Sequence, residues 1–272
     1  MRDTPLLLCT DMDRTIIPNG AQPEPPRARE NFAAYCAQPH VTLAYVTGRD
    51  RGLVQQAIAE YDLPTPDYAI TDVGTIIYQI DQADWSRWTE WEAEIDRDWP
   101  EGGRDVLVQA LDSVSGLRLQ EPDKQNTHKV SYYVPDASAH DSIRPAIQQA
   151  LDQRGFRVNV IWSVDEESGT GLIDLLPVRA NKRHAIEFLQ QQLGVAPRQV
   201  VFAGDSGNDL PVLISPIQSV LVGNAAADVR VAAETAVQES NLRDSLYVAD
   251  AYYAGGVLEG VAHFMDKDSP GA

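Results

Sequence analysis

Short apolar runs recur along the first third of the chain, and each stops at a polar turn. Leu6-Leu7-Leu8-Cys9, Val41 to Val46 and Tyr68-Ala69-Ile70-Thr71 predict three buried strands. Between them the pattern changes period. A turn-rich segment holding Pro18-Asn19-Gly20, Pro23, Pro25 and Pro26 leads into a helix to about Gln38, and Leu53, Ala57, Ile58 and Tyr61 recur at helical spacing. The same style returns near the end. Lys182 to Leu193 predicts a helix, Val200 to Ala203 and Val220 to Val222 two more strands, and Gly256 to Phe264 a last helix before a loose tail from Asp266 to Ala272. Strands alternating with helices of this length predict an α/β fold with a doubly wound, Rossmann-like parallel sheet.

From about residue 80 the pattern differs. Trp85, Trp88, Trp91 and Trp99 crowd one stretch of a chain with five tryptophans. The i, i+3 spacing of the first three predicts one helix packed on a sheet, with sugar stacking as the competing reading. Strand-like Lys129 to Val134 and Arg157 to Ser163 flank a helix near Ile143 to Leu151. An α+β insertion over residues 81–171 is therefore expected within a core made of 1–80 and 172–272, with Leu172 to Leu176 returning to the core.

Composition narrows the class. With 272 residues, 43% of them hydrophobic, the chain is long enough for one large domain or two modest ones. Its 40 acidic and 22 basic side chains give a formal charge of −18, which argues against nucleic acid and anionic membrane as partners. No apolar run approaches the roughly 20 residues of a membrane span, and Met1 to Pro5 does not open a signal peptide. Cys9 and Cys36 cannot build a disulfide framework and suit a reducing cytoplasm, with Cys9 read as a core residue.

Chemistry concentrates where strands end. Asp11 and Asp13 follow the first strand directly, at the carboxyl edge where open α/β sheets bind ligands. Thr47-Gly48-Arg49 follows the second, and offers a hydroxyl and backbone N–H groups to phosphoryl oxygens. Lys182, one of only four lysines, opens a helix that Asn181 can cap, which makes an anion site. Gly204-Asp205-Ser206-Gly207-Asn208-Asp209 is an acidic turn suited to a hard cation. Each segment alone has a plainer reading: an acidic or strand-ending turn, a solvated lysine, a helix cap.

Taken in order, the four segments resemble the haloacid-dehalogenase superfamily of phosphohydrolases, with the insertion as its cap. His128 to Val134, Ile173 to Pro177, Arg179-Ala180-Asn181-Lys182 and Tyr253 to Glu259 are similar to the sucrose-phosphate phosphatase branch. The resemblance implies a role for each matching residue. Asp11 attacks phosphorus to form an aspartyl-phosphate, and Asp13 serves as general acid and then base. It implies Mg2+ held by Asp11, the Asp13 backbone carbonyl and Asp205, with Thr47 and Lys182 on the equatorial oxygens. Gly48 belongs to the phosphate loop, and Asn208 and Asp209 orient the phosphate and the metal's waters. In the cap, Lys129, Asp174 and Arg179, with Asn181, are the expected sugar-binding residues. Opening and closing of the cap would admit substrate and exclude water.

The implied substrate is sucrose 6-phosphate, with mannosylfructose phosphate or glucosylglycerol phosphate as alternatives. Arg14 departs from the branch, which usually has asparagine there. It reads either as a guanidinium for substrate or an acidic cap group, or as a solvated turn residue. A receiver domain shares the carboxylates, threonine and lysine but not the Asp-x-Asp-x-Thr spacing or the insertion. A non-catalytic sugar-phosphate-binding partner of a synthase would be expected to have lost Asp11, Asp13 or Asp205, and all three are present. Association with a glycosyl-phosphate synthase stays open.

Overall fold

The structure is a computed structural model that describes residues 5–136, 140–164 and 168–267. It forms two compact units, Met1–Arg87 with Lys182–Ala272, and Trp88–Asn181. The first unit begins with β1 (Leu6–Thr10), α1 (Ala28–Cys36), β2 (Val41–Val46), α2 (Arg51–Tyr61), β3 (Tyr68–Thr71), β4 (Ile76–Asp81) and β5 (Asp84–Arg87). The second contains α3 (Thr89–Asp96), α4 (Gly103–Leu111), β6 (Arg118–Leu119), β7 (Val130–Val134), α5 (His140–Gln153), β8 (Val158–Val164) and β9 (Gly171–Pro177). The chain then returns through α6 (Lys182–Leu193), β10 (Val200–Gly204), α7 (Leu210–Leu213), β11 (Gln218–Leu221), α8 (Ala227–Glu239), β12 (Leu246–Val248) and α9 (Tyr253–Lys267).

The first unit is built on an eight-stranded sheet in the order β12-β11-β10-β1-β2-β3-β4-β5. The strands from β12 to β3 pair in parallel, and β4 and β5 extend the edge as an antiparallel hairpin. All five residues of β1 are buried, as a central strand covered on both faces requires. Each such aliphatic side chain contributes about 1.5–3 kcal/mol through removal from water. The helices lie close to this sheet. A Cβ on Gly260 of α9 would come within 2.2 Å of Val220 on β11, so a glycine is needed for that approach. Asp50 caps α2 by accepting from the Leu53 N–H at 2.9 Å.

The second unit is an antiparallel sheet in the order β6-β7-β9-β8. Val130, Tyr132 and Val134 of β7 and Ile173 and Leu175 of β9 form one apolar face, packed with Leu107, Leu111, Ile143, Ile147 and Leu151 of α4 and α5. The alternate residues, Ser131 and Tyr133 on β7 and Asp174 on β9, face the other way.

Three expectations need correction. The unit boundaries fall after residues 87 and 181, rather than at 80 and 172. On one side β4 and β5 continue the core sheet; on the other, Leu172 to Leu176 lies in β9, at the centre of the second sheet. Leucines and an isoleucine on both sides of Asp174 fit a strand of either kind of sheet, so periodicity alone could not assign it. The tryptophans do not share one helix. Trp85 is on β5, edge-on to Tyr78 at 5.6 Å between ring centroids; Trp88 precedes α3, and Trp91 is buried within it. The last helix runs from Tyr253 to Lys267, past both expected ends, and residues 268–272 of the expected tail lie outside the described residues. No helix among the described residues is long and apolar enough to cross a membrane.

Candidate active site

The carboxyl ends of β1, β2, β10 and β11 lie side by side in the parallel sheet, and the loops that follow them carry the polar cluster. After β1 the chain turns at once, with Met12 O accepting from the N–H groups of Ile16 and Ile17. Met12 is buried in the apolar core, while the carboxylates on either side of it meet polar partners. Asp11 is 5% exposed and accepts from Lys182 Nζ at 3.0 Å. The same ammonium donates to Asp209 Oδ1 at 2.7 Å and Asn208 Oδ1 at 2.9 Å. Residues from β1, from the start of α6 and from the loop after β10 thus converge on one buried cation.

Asp209 also organises its own loop. Its Oδ2 accepts from the backbone N–H groups of Asp205 and Ser206 and from the Ser206 hydroxyl, each at 3.1 Å. A Cβ on Gly204 would lie 2.6 Å from this carboxylate, so only glycine lets Asp209 approach. Asp13 is more open, and is held by a two-pronged contact with Arg49: Nε to Oδ2 at 2.8 Å and Nη2 to Oδ1 at 2.6 Å. Asn19 donates to Asp13 Oδ1 at 2.8 Å. Thr47 is buried at the end of β2, where its hydroxyl accepts from the Arg49 N–H at 3.2 Å. A Cβ on Gly48 would find its nearest neighbour 3.9 Å away, so open space adjoins this loop.

Electrostatics follows from burial. Asp11 is driven above the usual carboxylate range by desolvation; Lys182 opposes this, and Asp209 and Asp205 add to it. Desolvation likewise pushes Asp205 up to about 6, with Asp209 adding and Arg14 and Lys182 opposing. Burial works against charge on Lys182, but Asp11 and Asp209 outweigh it and hold the ammonium protonated. Burial also opposes charge on Asp13, yet the Arg49 and Asn19 contacts bring its pKa below the ordinary value.

One oxygen from each of Asp11, Asp205 and Asp209 lies within 4.8 Å of the others. Three buried carboxylates face fewer cations than their charge requires, and hard oxygens at this spacing fit a hard divalent cation. The two oxygens of Asp209 are already engaged by Lys182 and the loop N–H groups. Asp11 and Asp205 are therefore the better donors.

Sequence reasoning did not assign several of these partners. Arg49 stood in the Thr-Gly-Arg triplet without a role, and Asn19 read as a turn residue. Asn224, after β11, donates to Arg14 O at 2.6 Å and accepts from the Tyr253 N–H at 2.8 Å, tying two loops to the start of α9. Its signal was the one used elsewhere, a polar residue just beyond a parallel strand. Glu259 of the Tyr253 to Glu259 segment accepts from Tyr247 Oη at 2.7 Å and from the N–H groups of Asp250 and Ala251. Arg14 reaches Asp205 Oδ2 with Nε at 3.1 Å, a partner in the core that neither reading of Arg14 anticipated.

The four expected sugar-binding residues lie in the second unit. Lys129 is buried directly before β7, and across β7 and β9 the Ser131 hydroxyl donates to Asp174 Oδ1. Arg179 is drawn elsewhere, with Nη1 at 3.2 Å from Glu94 and Nε at 3.5 Å from Asp98. The Asn181 amide donates to the carbonyls of Val178 and Arg179, each at 3.4 Å.

Residues 4–265 match the family model of sucrose-6F-phosphate phosphohydrolase. A putative HAD-like hydrolase of Nitrosococcus oceani is 46% identical over 96% of this chain and 72% of its own length. Sucrose-phosphatase 1 of Nicotiana tabacum is 29% identical over 95% of this chain; the chain spans 59% of that longer protein. Among solved structures, the sucrose-phosphatase from Synechocystis in complex with sucrose and phosphate is similar with a TM-score of 0.78 and 31% identity. That likeness covers 96% of this chain and 98% of the Synechocystis chain. The chain belongs to the sucrose-6F-phosphate phosphohydrolase family, phosphoric monoester hydrolases of the haloacid-dehalogenase superfamily.

Proposed function

We propose that this protein hydrolyses a disaccharide phosphate, sucrose 6-phosphate first among the candidates, through a phosphorylated Asp11. The observation that carries the reading is the buried Asp11–Lys182–Asp209 constellation beside Asp13. An Asp11 carboxylate oxygen attacks phosphorus as the bond to the sugar oxygen breaks, and the Asp13 carboxyl gives that oxygen its proton. Water then attacks the phosphorus of the aspartyl-phosphate and Asp13 takes a proton from it, which releases phosphate and restores Asp11. Lys182 and Thr47 take the equatorial oxygens as charge spreads over them. Arg49 holds Asp13 as a carboxylate, the form the second step needs, so proton delivery in the first step requires Asp13 to leave that guanidinium.

Asp11, Asp205 and the Asp13 backbone carbonyl would hold Mg2+, whose charge offsets the repulsion between carboxylates and phosphate. Asp209 then keeps Lys182 and the Asp205 loop in place. The second unit acts as a cap, and its Ser131–Asp174 pair, with Lys129 just before β7, contributes to sugar recognition. Arg179 supports that unit through Glu94 and Asp98.

The test is phosphate release from sucrose 6-phosphate, mannosylfructose 6-phosphate, glucosylglycerol phosphate, glucose 6-phosphate and fructose 6-phosphate, with Mg2+ and with chelator. Fast, metal-dependent turnover of sucrose 6-phosphate alone supports the reading. Turnover only of another glycosyl phosphate keeps the mechanism and replaces the substrate. No release from any member by folded, Mg2+-supplied protein overturns it.

A further inference from the structure

Arg14 occupies a backbone position that suits it poorly. Its φ is 53°, in the left-handed region where glycine and asparagine are at ease and a long side chain is not. The conformation is held from both sides: the Arg14 N–H donates to Asn19 Oδ1 at 2.8 Å, and Arg14 O accepts from Asn224. A strained residue locked in place directs attention to what its side chain does. Here Nε lies 3.1 Å from Oδ2 of Asp205, whose side chain is 4% exposed, while the Arg14 side chain is 37% exposed. The partly exposed Arg14 meets the acidic cluster at Asp205, and the buried Lys182 meets it at Asp11 and Asp209.

The geometry points to Arg14 as a positioning residue that shares Asp205 with the divalent cation and thereby sets how tightly that cation binds. One carboxylate oxygen is engaged by a fixed positive charge, so an incoming ion meets a weaker donor and a like charge beside it. Exposure of the guanidinium and solvent screening keep the effect moderate. A neutral residue of the right backbone preference, asparagine or glycine, would leave Asp205 wholly to the metal. Arg14 thus lowers the affinity of the site for any divalent cation that Asp205 helps to hold. This inference rests on the proposed metal site.

The experiment is direct metal binding without substrate: Mg2+ by calorimetry, and Mn2+ by the loss of its free electron-paramagnetic-resonance signal. Wild type is compared with Arg14→Asn, Arg14→Gly and Arg14→Lys. The Asn and Gly variants are expected to bind both ions about tenfold more tightly, by removal of a nearby like charge. Arg14→Lys, which keeps the charge, is expected to stay near wild type. Equal or weaker binding by both neutral variants overturns the inference while wild-type binding leaves the metal site standing. Arg14→Lys binding as tightly as the neutral variants also overturns it, because charge would then not be the cause. Absence of Mg2+ and Mn2+ binding in wild type and every variant removes the metal site itself.

Discussion

The two units use polar side chains in opposite ways. In the first, charge is buried and shared: one ammonium, 2% exposed, is gripped by two carboxylates of which one is fully buried. In the second, polar groups stand on one face of an antiparallel sheet, where Ser131 and Asp174 meet across strands. Burying unpaired charge is expensive, so the first arrangement is tolerated only because every member has a partner. Such a cluster fixes geometry and leaves little room for change. The second rests on a neutral hydroxyl bonded to one carboxylate, an arrangement that carries less buried charge.

The comparison can be broken most sharply at Asp11. Arg14 aside, Asp11→Asn should lower phosphate release on the order of a thousandfold or more, as loss of a nucleophile does. Its thermal midpoint should hold or rise, since a carboxylate is removed from a crowded site. Lys182→Met should damage both properties. Two buried carboxylates lose their cation, so about 3 kcal/mol of stability should vanish in denaturant titration, with turnover down roughly a hundredfold or more.

Arg49→Ala tests positioning rather than burial. Loss of the contact that keeps Asp13 a carboxylate for the second step should lower kcat by roughly ten- to a hundredfold with KM little changed, and Arg49→Lys should recover part of it, in steady-state kinetics. On the second unit, Ser131→Ala should cost about 1 kcal/mol of stability and raise KM for the preferred sugar phosphate while kcat holds. A large kcat effect there would blur the division between the two units.

Glu259→Gln is the mildest change. Burial opposes the Glu259 charge, but Tyr247, Ala251 and Asp250 outweigh it and depress its pKa. The contribution, about 1 kcal/mol, is therefore present above the ordinary glutamate range and lost as pH falls through the depressed folded value. Thermal melts of wild type and variant should differ at neutral pH and converge in acid, with no change in kcat.

How much was legible depended on topology. In a parallel sheet every strand ends on the same edge, so a polar residue just after an apolar run is already placed near the site. Asp11, Thr47 and Asp205 could be read that way, and the strand Val41–Val46 and the helix Lys182–Leu193 have the expected bounds. Arg14 and Asn19 could not, because their roles arise from backbone turns, and Asn224, though just beyond a strand, has a partner 210 positions away in sequence. The insertion was harder still. Its polar face is set by the register of Ser131 against Asp174, and an apolar run such as Leu172 to Leu176 does not announce which sheet it joins. The three-residue β12 and the Ala-rich α8 carry too weak a pattern to find.

The central claim is that Asp11 carries the phosphoryl group. The most direct measurement is acid quench during turnover of sucrose 6-phosphate with Mg2+, followed by mass spectrometry of the peptide that contains Asp11. The account predicts a phosphoryl group on Asp11 that appears within the first turnover, decays as substrate is exhausted and is absent from Asp11→Asn. Steady turnover with that peptide unmodified throughout, or an Asp11→Asn variant that turns over at the wild-type rate, would contradict it.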